Sequence, residues 1–210
     1  MSGAATSADS QAVPTGNTFD KYGSGNPFVR RLMKGFERDM LDLLDRASPH
    51  SIIDVGCGEG VLTEQWASLM PQARVVGVDL DDPKLRMQWE QRARPNLEFR
   101  AGTGDKLPYV DDDFEAATAI EVLEHVPDPH AVLGEMARVA SRWILASVPR
   151  EPLWRGLNLA RGAYLRSLGN TPGHLNHWSK RSFARLLSDF GDVLEVRSPL
   201  PWTMALVRLP

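Results

Sequence analysis

The stretch IIDVGCGEGVLTE, residues 52–64, carries an apolar segment into three glycines, Gly56, Gly58 and Gly60, and out into a helix-like one. Glycines there permit backbone angles and close approaches that a β-carbon forbids. A helix starting just after them offers unpaired N–H groups and a positive dipole end, so the loop suits a small anion or a carboxylate. Asp79 closes a second apolar segment, VVGVDL, at roughly the twenty-residue interval where a carboxylate accepts hydrogen bonds from a ribose diol. The loop reads GxGxG, with Val61 and Leu62 beyond Gly60, whereas the dinucleotide fingerprint is GxGxxG and uses its last glycine for close helix packing. A carboxylate at Asp79 would also clash with a 2′-phosphate, which disfavours NADP. The competing structural reading is that Asp79 caps the next segment.

A second set of reactive side chains follows. IEVLEHVPDP places Glu121 at the end of an apolar run and His125 about one turn beyond, and GHLNHW holds His174, Asn176, His177 and Trp178. A histidine can take a proton from a hydroxyl at neutral pH, or it can brace a neighbouring helix. His174 and His177 stand three apart, as two metal ligands can, but no acidic or cysteine ligand stands next to them and no metal is expected. The loop either orients an acceptor, with Asn176 hydrogen-bonding and Trp178 stacking, or buries Trp178 as an anchor and leaves the histidines as surface groups.

Strands and helices must position these residues. Asn26-Pro27 opens a helix whose Phe28, Leu32, Phe36, Met40, Leu43 and Leu44 recur at three and four. SIIDV, RVVGVDL, LEFRAG, EAATAIEVL and RWILASVP read as five strands, with helices from about Val61 to Leu69, Lys84 to Ala93 and over 130–141 between them. Residues 152–168 read as an amphipathic helix, SKRSFARLLSDF as a late helix, and VLEVRSPLPWTMALVRLP as two more strands. Alternating strand-helix units imply an α/β fold, a parallel sheet with helices on both faces and right-handed crossovers. Its ligand crevice lies beyond the strands' carboxyl ends, where the strand order reverses.

Bulk properties set limits. The 210 residues suit one domain, and 24 basic against 27 acidic side chains, a formal charge of −3, provide no field to attract nucleic acid. No interleaved aromatic-basic track is present either, so nucleic acid is not an expected partner. Cys57, the single cysteine, belongs to no disulfide framework and suggests a reducing, cytoplasmic setting. Residues 1–18 read as a disordered tail without a signal segment, and no apolar run reaches membrane-spanning length.

The ordered motifs IIDVGCGEG, VVGVDL, LEFRAG…LP and IEVLEHVPDP resemble those of class I S-adenosylmethionine-dependent methyltransferases, over most of residues 50–150. The wording of the fourth is especially similar to the ubiquinone-pathway O-methyltransferases. The resemblance implies a Rossmann-like, doubly wound, mostly parallel seven-stranded sheet with an antiparallel last strand. It implies that Asp54, Gly56, Cys57, Gly58 and Gly60 support the methionine end of S-adenosylmethionine, that Asp79 and Leu80 hold the ribose, and that Glu121 walls the pocket. Where the family often reads G-D-A before L-P, this chain reads Gly102-Thr103-Gly104-Asp105, so Thr103, Gly104 or Asp105 must meet the adenine.

By the same resemblance residues 19–46 form a helical cover from which Tyr22 and Arg30 reach the methionine carboxylate. Residues 151–178 form the substrate cover within a single domain over 19–210. The expected activity is methyl transfer to a small molecule, on oxygen by analogy with the nearest look-alikes, yielding S-adenosylhomocysteine, with His125, His174 and His177 as proton acceptors. N- or C-methylation and a non-catalytic cofactor-binding module are the alternatives, and an NAD-dependent oxidoreductase fits less well. Leu153, Trp154, Leu157, Ala160, Tyr164, Leu165 and Leu168, with Arg155, Arg161 and Arg166 elsewhere, make one helical face. That face packs on the domain or, as in a basic amphipathic element, meets a lipophilic acceptor or a membrane surface.

Overall fold

The computed structural model describes residues 26–160, 162, 164 and 167–210. In chain order the elements are α1 (Pro27–Ala47), β1 (Ser51–Val55), α2 (Val61–Leu69), β2 (Arg74–Asp79), α3 (Pro83–Glu90), β3 (Leu97–Ala101), β4 (Phe114–Ile120), α4 (Pro129–Val139), β5 (Ala140–Pro149), α5 (Leu153–Ala160), α6 (Lys180–Ser188), β6 (Asp192–Arg197) and β7 (Trp202–Arg208). Three helices begin alike: Asn26, Asp82 and Asp128 accept backbone N–H groups through their side chains, and a proline follows each at the first helical turn. That pairing satisfies orphan amides and presets the helical φ.

The strands form a seven-stranded sheet in the order β3-β2-β1-β4-β5-β7-β6. β1 to β5 pair in parallel, and β7 runs antiparallel to both β5 and β6. Successive residues point to opposite faces. Ile52, Ala116, Leu145 and Leu206 pack with α1 and with Trp66 of α2. Ile53, Ala117, Ile144 and Val207 pack with Val132, Leu133 and Met136 of α4 and Phe183 and Leu187 of α6. Both faces are therefore covered, which is why the central strands read as unbroken apolar runs. The order reverses between β1 and β4, so the crevice opens at their carboxyl ends, beside the glycine loop and Glu121.

Two expectations change. The fourth strand stops at Ile120, because Glu121 turns the chain with φ +60°. The helix expected over 152–168 covers only Leu153–Ala160. Beyond it Gly162, Tyr164, Leu168 and Gly169 all have positive φ. The chain then folds back on α5, where buried Asn158 donates to the Gly169 carbonyl at 2.8 Å and Trp154 Nε1 donates to Thr171 Oγ1 at 2.9 Å. The apolar stripe breaks accordingly, with Leu168 73% exposed. Tyr22, Arg161, Leu165, Arg166 and the tail over 1–18 lie outside the described residues.

Candidate functional site

The glycine loop leaves β1 in a left-handed conformation at all three glycines, with φ +75°, +54° and +78° at Gly56, Gly58 and Gly60. Two of them are glycine because something lies against them. A β-carbon on Gly56 would stand 2.5 Å from Val122, and one on Gly60 would stand 2.5 Å from the Phe99 ring. Gly58 differs, since a β-carbon there would meet nothing within 4 Å. It faces open space at the crevice, the arrangement that lets a ligand approach the backbone. Gly60 then caps α2 without a side-chain bond, leaving that helix start to its backbone amides.

Sequence reasoning missed much of what holds this loop. Trp89 of α3 donates its indole N–H to the Gly58 carbonyl at 2.8 Å and stacks on Phe99, with ring centroids 5.4 Å apart. Arg92 donates to the Glu59 carbonyl at 2.7 Å and pairs with Glu64. One signal was available: Trp89 is a large aromatic in an otherwise polar segment, MQWEQR. Cys57 is held in the loop with its thiol pushed up by burial, away from thiolate chemistry.

Asp79 ties the end of β2 to the glycine loop. One carboxylate oxygen accepts the Gly58 amide at 2.6 Å and the other the Leu80 amide at 2.7 Å. Asp79 is not the cap of the next helix, because Asp82 fills that role. Burial raises its pKa while the two amides oppose the shift. Each carboxylate oxygen still has a second lone pair for a hydroxyl donor. Asp54 lies deeper, 2% exposed, and its two oxygens accept the hydroxyls of Thr63 at 2.7 Å and Thr118 at 2.8 Å. Desolvation, partly offset by those hydroxyls, pushes its pKa up to about 7. Asp54 thus braces the loop from below, fixed by threonines of α2 and β4.

At the exit of β3, the Gly102 amide donates to the Asp79 carbonyl at 2.8 Å, which brings this turn beside the ribose-binding candidate. Thr103 and Asp105 are exposed. Gly104 sits where a β-carbon would come within 2.9 Å of Val55. Leu80 is 39% exposed at the end of β2, and Arg30 is exposed on the first turn of α1.

Glu121 meets β7 and β5 as well as the crevice. Its carboxylate accepts the Trp202 indole N–H at 2.6 Å and the Ser147 hydroxyl at 3.5 Å. His125 braces the opposite loop, with Nδ1 3.0 Å from the Gly173 carbonyl, whereas the N-cap of α4 is Asp128. His174 is buried at 8% exposure, which excludes the surface reading for it, and its ring lies edge-on to His125 with centroids 4.9 Å apart. It also stacks on Trp154. His177 sits between the Arg155 guanidinium at 3.3 Å and the Asn170 side chain at 2.7 Å. Burial and then Arg155 lower its pKa. Trp178 packs against the core and Asn176 bonds to the carbonyls of Leu123 and Val126.

Residues 53–142 match the family model described as a methyltransferase domain. Over that stretch, 90 of the 210 residues, the chain is similar to methyltransferases. Its curated relatives include a ubiquinone biosynthesis O-methyltransferase of Hahella chejuensis, 34% identical over 106 residues, 48% of this chain and 44% of that one. A demethylmenaquinone methyltransferase of Paenarthrobacter aurescens is 32% identical over 127 residues, 58% of this chain and 49% of that one. The chain spans about half the length of these two relatives. Among solved structures, the magnesium protoporphyrin IX methyltransferase of Synechocystis with bound S-adenosylhomocysteine superposes with a TM-score of 0.67 at 18% identity, covering 90% of this chain and 91% of that one. That likeness extends the fold beyond the matched segment. The site fits S-adenosylmethionine, the cofactor that this similarity implies: open space at Gly58, a carboxylate 2.6 Å from the Gly58 amide, and a helix start beyond.

Proposed function

We propose that this domain moves the methyl group of S-adenosylmethionine to an oxygen atom of a small-molecule acceptor. The single observation behind it is the open space at Gly58 beside the Asp79 carboxylate, at the one point where the sheet order reverses. In this reading Gly56, Cys57, Gly58 and Gly60, braced by Asp54, carry the methionine end, with Tyr22 and Arg30 of the leading segment closing on its carboxylate. Asp79 and Leu80 hold the ribose, Thr103, Gly104 and Asp105 meet the adenine, and Glu121 walls the pocket.

Transfer forms the bond from acceptor oxygen to methyl carbon as the carbon-sulfur bond breaks, with that electron pair passing to sulfur. The sulfonium needs no acid to leave, so the protein contributes alignment. The acceptor must lose its proton, and we assign that to the cluster of His125 with His174 and His177 of the cover, residues 151–178. Leu159, Leu168 and Leu175, each at least 40% exposed on that cover, suit a lipophilic acceptor or contact with a membrane surface. Among the described residues no helix is long and apolar enough to cross a membrane. The assay incubates the chain with S-adenosylmethionine and parallel panels of phenols, alcohols, amines and carbon acids, and follows S-adenosylhomocysteine release and the methylated atom by NMR. O-methylated phenols or alcohols are expected, and transfer confined to nitrogen or carbon would overturn the oxygen assignment.

A further inference from the structure

The two edges of the sheet are finished differently. At one end the register of β6 against β7 shifts between Val193 and Glu195, and α1 engages its charges, Arg46 pairing with Glu195 and Asp42 with Arg197. An irregular register and engaged charges are ordinary ways of blunting an edge. At the other end β3 has neither. It pairs with β2 in one unbroken register, from Val75 opposite Leu97 to Asp79 opposite Ala101. It contains no proline or lysine and passes to β4 without an intervening helix. Glu98, Arg100 and Ala101 are exposed on it.

The ladder decides which backbone groups look outward. The Val75 amide donates to the Asn96 carbonyl at 2.9 Å and the Gly102 amide to the Asp79 carbonyl at 2.8 Å, so the even-numbered residues of this stretch bond to β2. Leu97, Phe99 and Ala101 therefore turn their N–H and C=O groups to the outside. Among the described residues only the Arg94 carbonyl meets that side, accepting the Leu97 amide at 3.2 Å. Side chains alternate between the faces. Phe99 stacks on Trp89, whereas Glu98 and Arg100 share the opposite face, where the Arg100 guanidinium lies 5.6 Å from the Tyr109 ring centre.

The five residues LEFRA are complementary to themselves. Turned about a two-fold axis at Phe99, the strand runs antiparallel to its own copy, with Leu97 facing Ala101, Glu98 facing Arg100 and Phe99 facing Phe99. The outward groups then match: the two Phe99 residues exchange a pair of N–H to C=O bonds, and each Ala101 amide donates to the opposite Leu97 carbonyl. Glu98 and Arg100 fall in the intervening non-hydrogen-bonded pairs, where side chains stand closest, and each carboxylate meets a guanidinium. The neighbouring registers that keep this parity set Glu98 against Glu98 or Arg100 against Arg100, so charge selects the one centred on Phe99. Within a single chain Glu98 and Arg100 pair along the strand at about half exposure, a contact that contributes little in water and is readily exchanged.

We propose that β3 is a self-association edge, on which two copies of the chain pair antiparallel through residues 97–101 and join their two sheets into one. The pairing asks nothing of the cofactor crevice, which opens where β1 meets β4.

The test is sedimentation velocity of the full chain over a concentration series. Wild type is expected to pass from monomer to dimer in the micromolar range. Arg100→Glu sets acid against acid and Glu98→Arg sets base against base, so each alone should raise the dimer dissociation constant by about tenfold or more. Mixed, with a fluorescent label on one, the two single variants again place opposite charges across the strands and should form a heterodimer about as tight as wild type. A strand that merely lost its structure would give no such rescue, and circular dichroism checks the fold of each variant separately. Arg185→Glu, the same change of charge on α6 beside β6, should dimerise like wild type. A wild-type chain that stays monomeric up to about 0.1 mM, single variants that pair as tightly as wild type, or a mixture without heterodimer overturns the proposal.

Discussion

Two alanine substitutions in the same loop should fail for different reasons. Gly60→Ala puts a β-carbon 2.5 Å from the Phe99 ring at φ +78°, while Gly58→Ala at φ +54° puts one into open space. A left-handed non-glycine residue costs about 1–2 kcal/mol, and forcing a methyl into a packed neighbour costs roughly 1–3 kcal/mol more. Gly60→Ala should therefore lose about 2–5 kcal/mol of stability and Gly58→Ala only about 1–2 kcal/mol. Urea unfolding resolves this as a midpoint shift of roughly 1 M or more against roughly half that. Calorimetry with S-adenosylhomocysteine should show the reverse ranking of specificity. Gly58→Ala, still folded, should lose about ten- to hundredfold in affinity, because its methyl occupies the space assigned to the methionine end. Wild-type affinity in Gly58→Ala, or equal stability of the two variants, would refute the account of why these positions are glycine.

Further outcomes follow from the same geometry. Asp54, with its pKa pushed up to about 7, keeps a proton in the folded chain that an unfolded aspartate gives up near pH 4. Stability should thus fall by a few kcal/mol as pH rises from about 4 to about 7 and then level off. Asp54→Asn abolishes that fall, so its stability relative to wild type should rise between pH 5 and pH 8 in urea titrations; a constant difference would contradict the burial argument. Trp89→Phe keeps the stack on Phe99 but loses the bond to the Gly58 carbonyl, and should cost about 1 kcal/mol in stability with weaker cofactor binding by calorimetry. Asn158→Ala removes the buried tie to Gly169 and Thr171; once an acceptor is in hand, its KM should rise while cofactor affinity holds.

The fold was legible where periodicity and capping spoke together. Asn26-Pro27, the glycine loop and the acid-terminated strand RVVGVD marked element ends to within a residue or two. Seven strands and the antiparallel β7 emerged as expected. The helix over 152–168 failed because the apolar spacing was real but Gly162 and Gly169 let the chain reverse on α5, a tertiary preference that no helical pattern encodes. At the site, Asp79 and the glycines were readable from spacing. Thr63 and Thr118, which fix Asp54, were not, since a hydroxyl nine or sixty-four residues away leaves no local pattern. The same holds for Trp202 on Glu121, contributed by the last strand. His125 beside His174 is a product of the 173–176 segment crossing over 123–126, and only the fold could pair them.

The most direct measurement is calorimetric titration of the chain with S-adenosylmethionine, S-adenosylhomocysteine and NAD, repeated on Asp79→Asn and Asp79→Ala. Asparagine keeps one carbonyl acceptor and tells loss of charge from loss of the side chain's tie to Gly58. Binding of both sulfur nucleosides but not NAD, weakened in Asp79→Asn and further in Asp79→Ala, is the predicted result. Binding of NAD with no response to either sulfur nucleoside, or full affinity in both Asp79 variants, would contradict it.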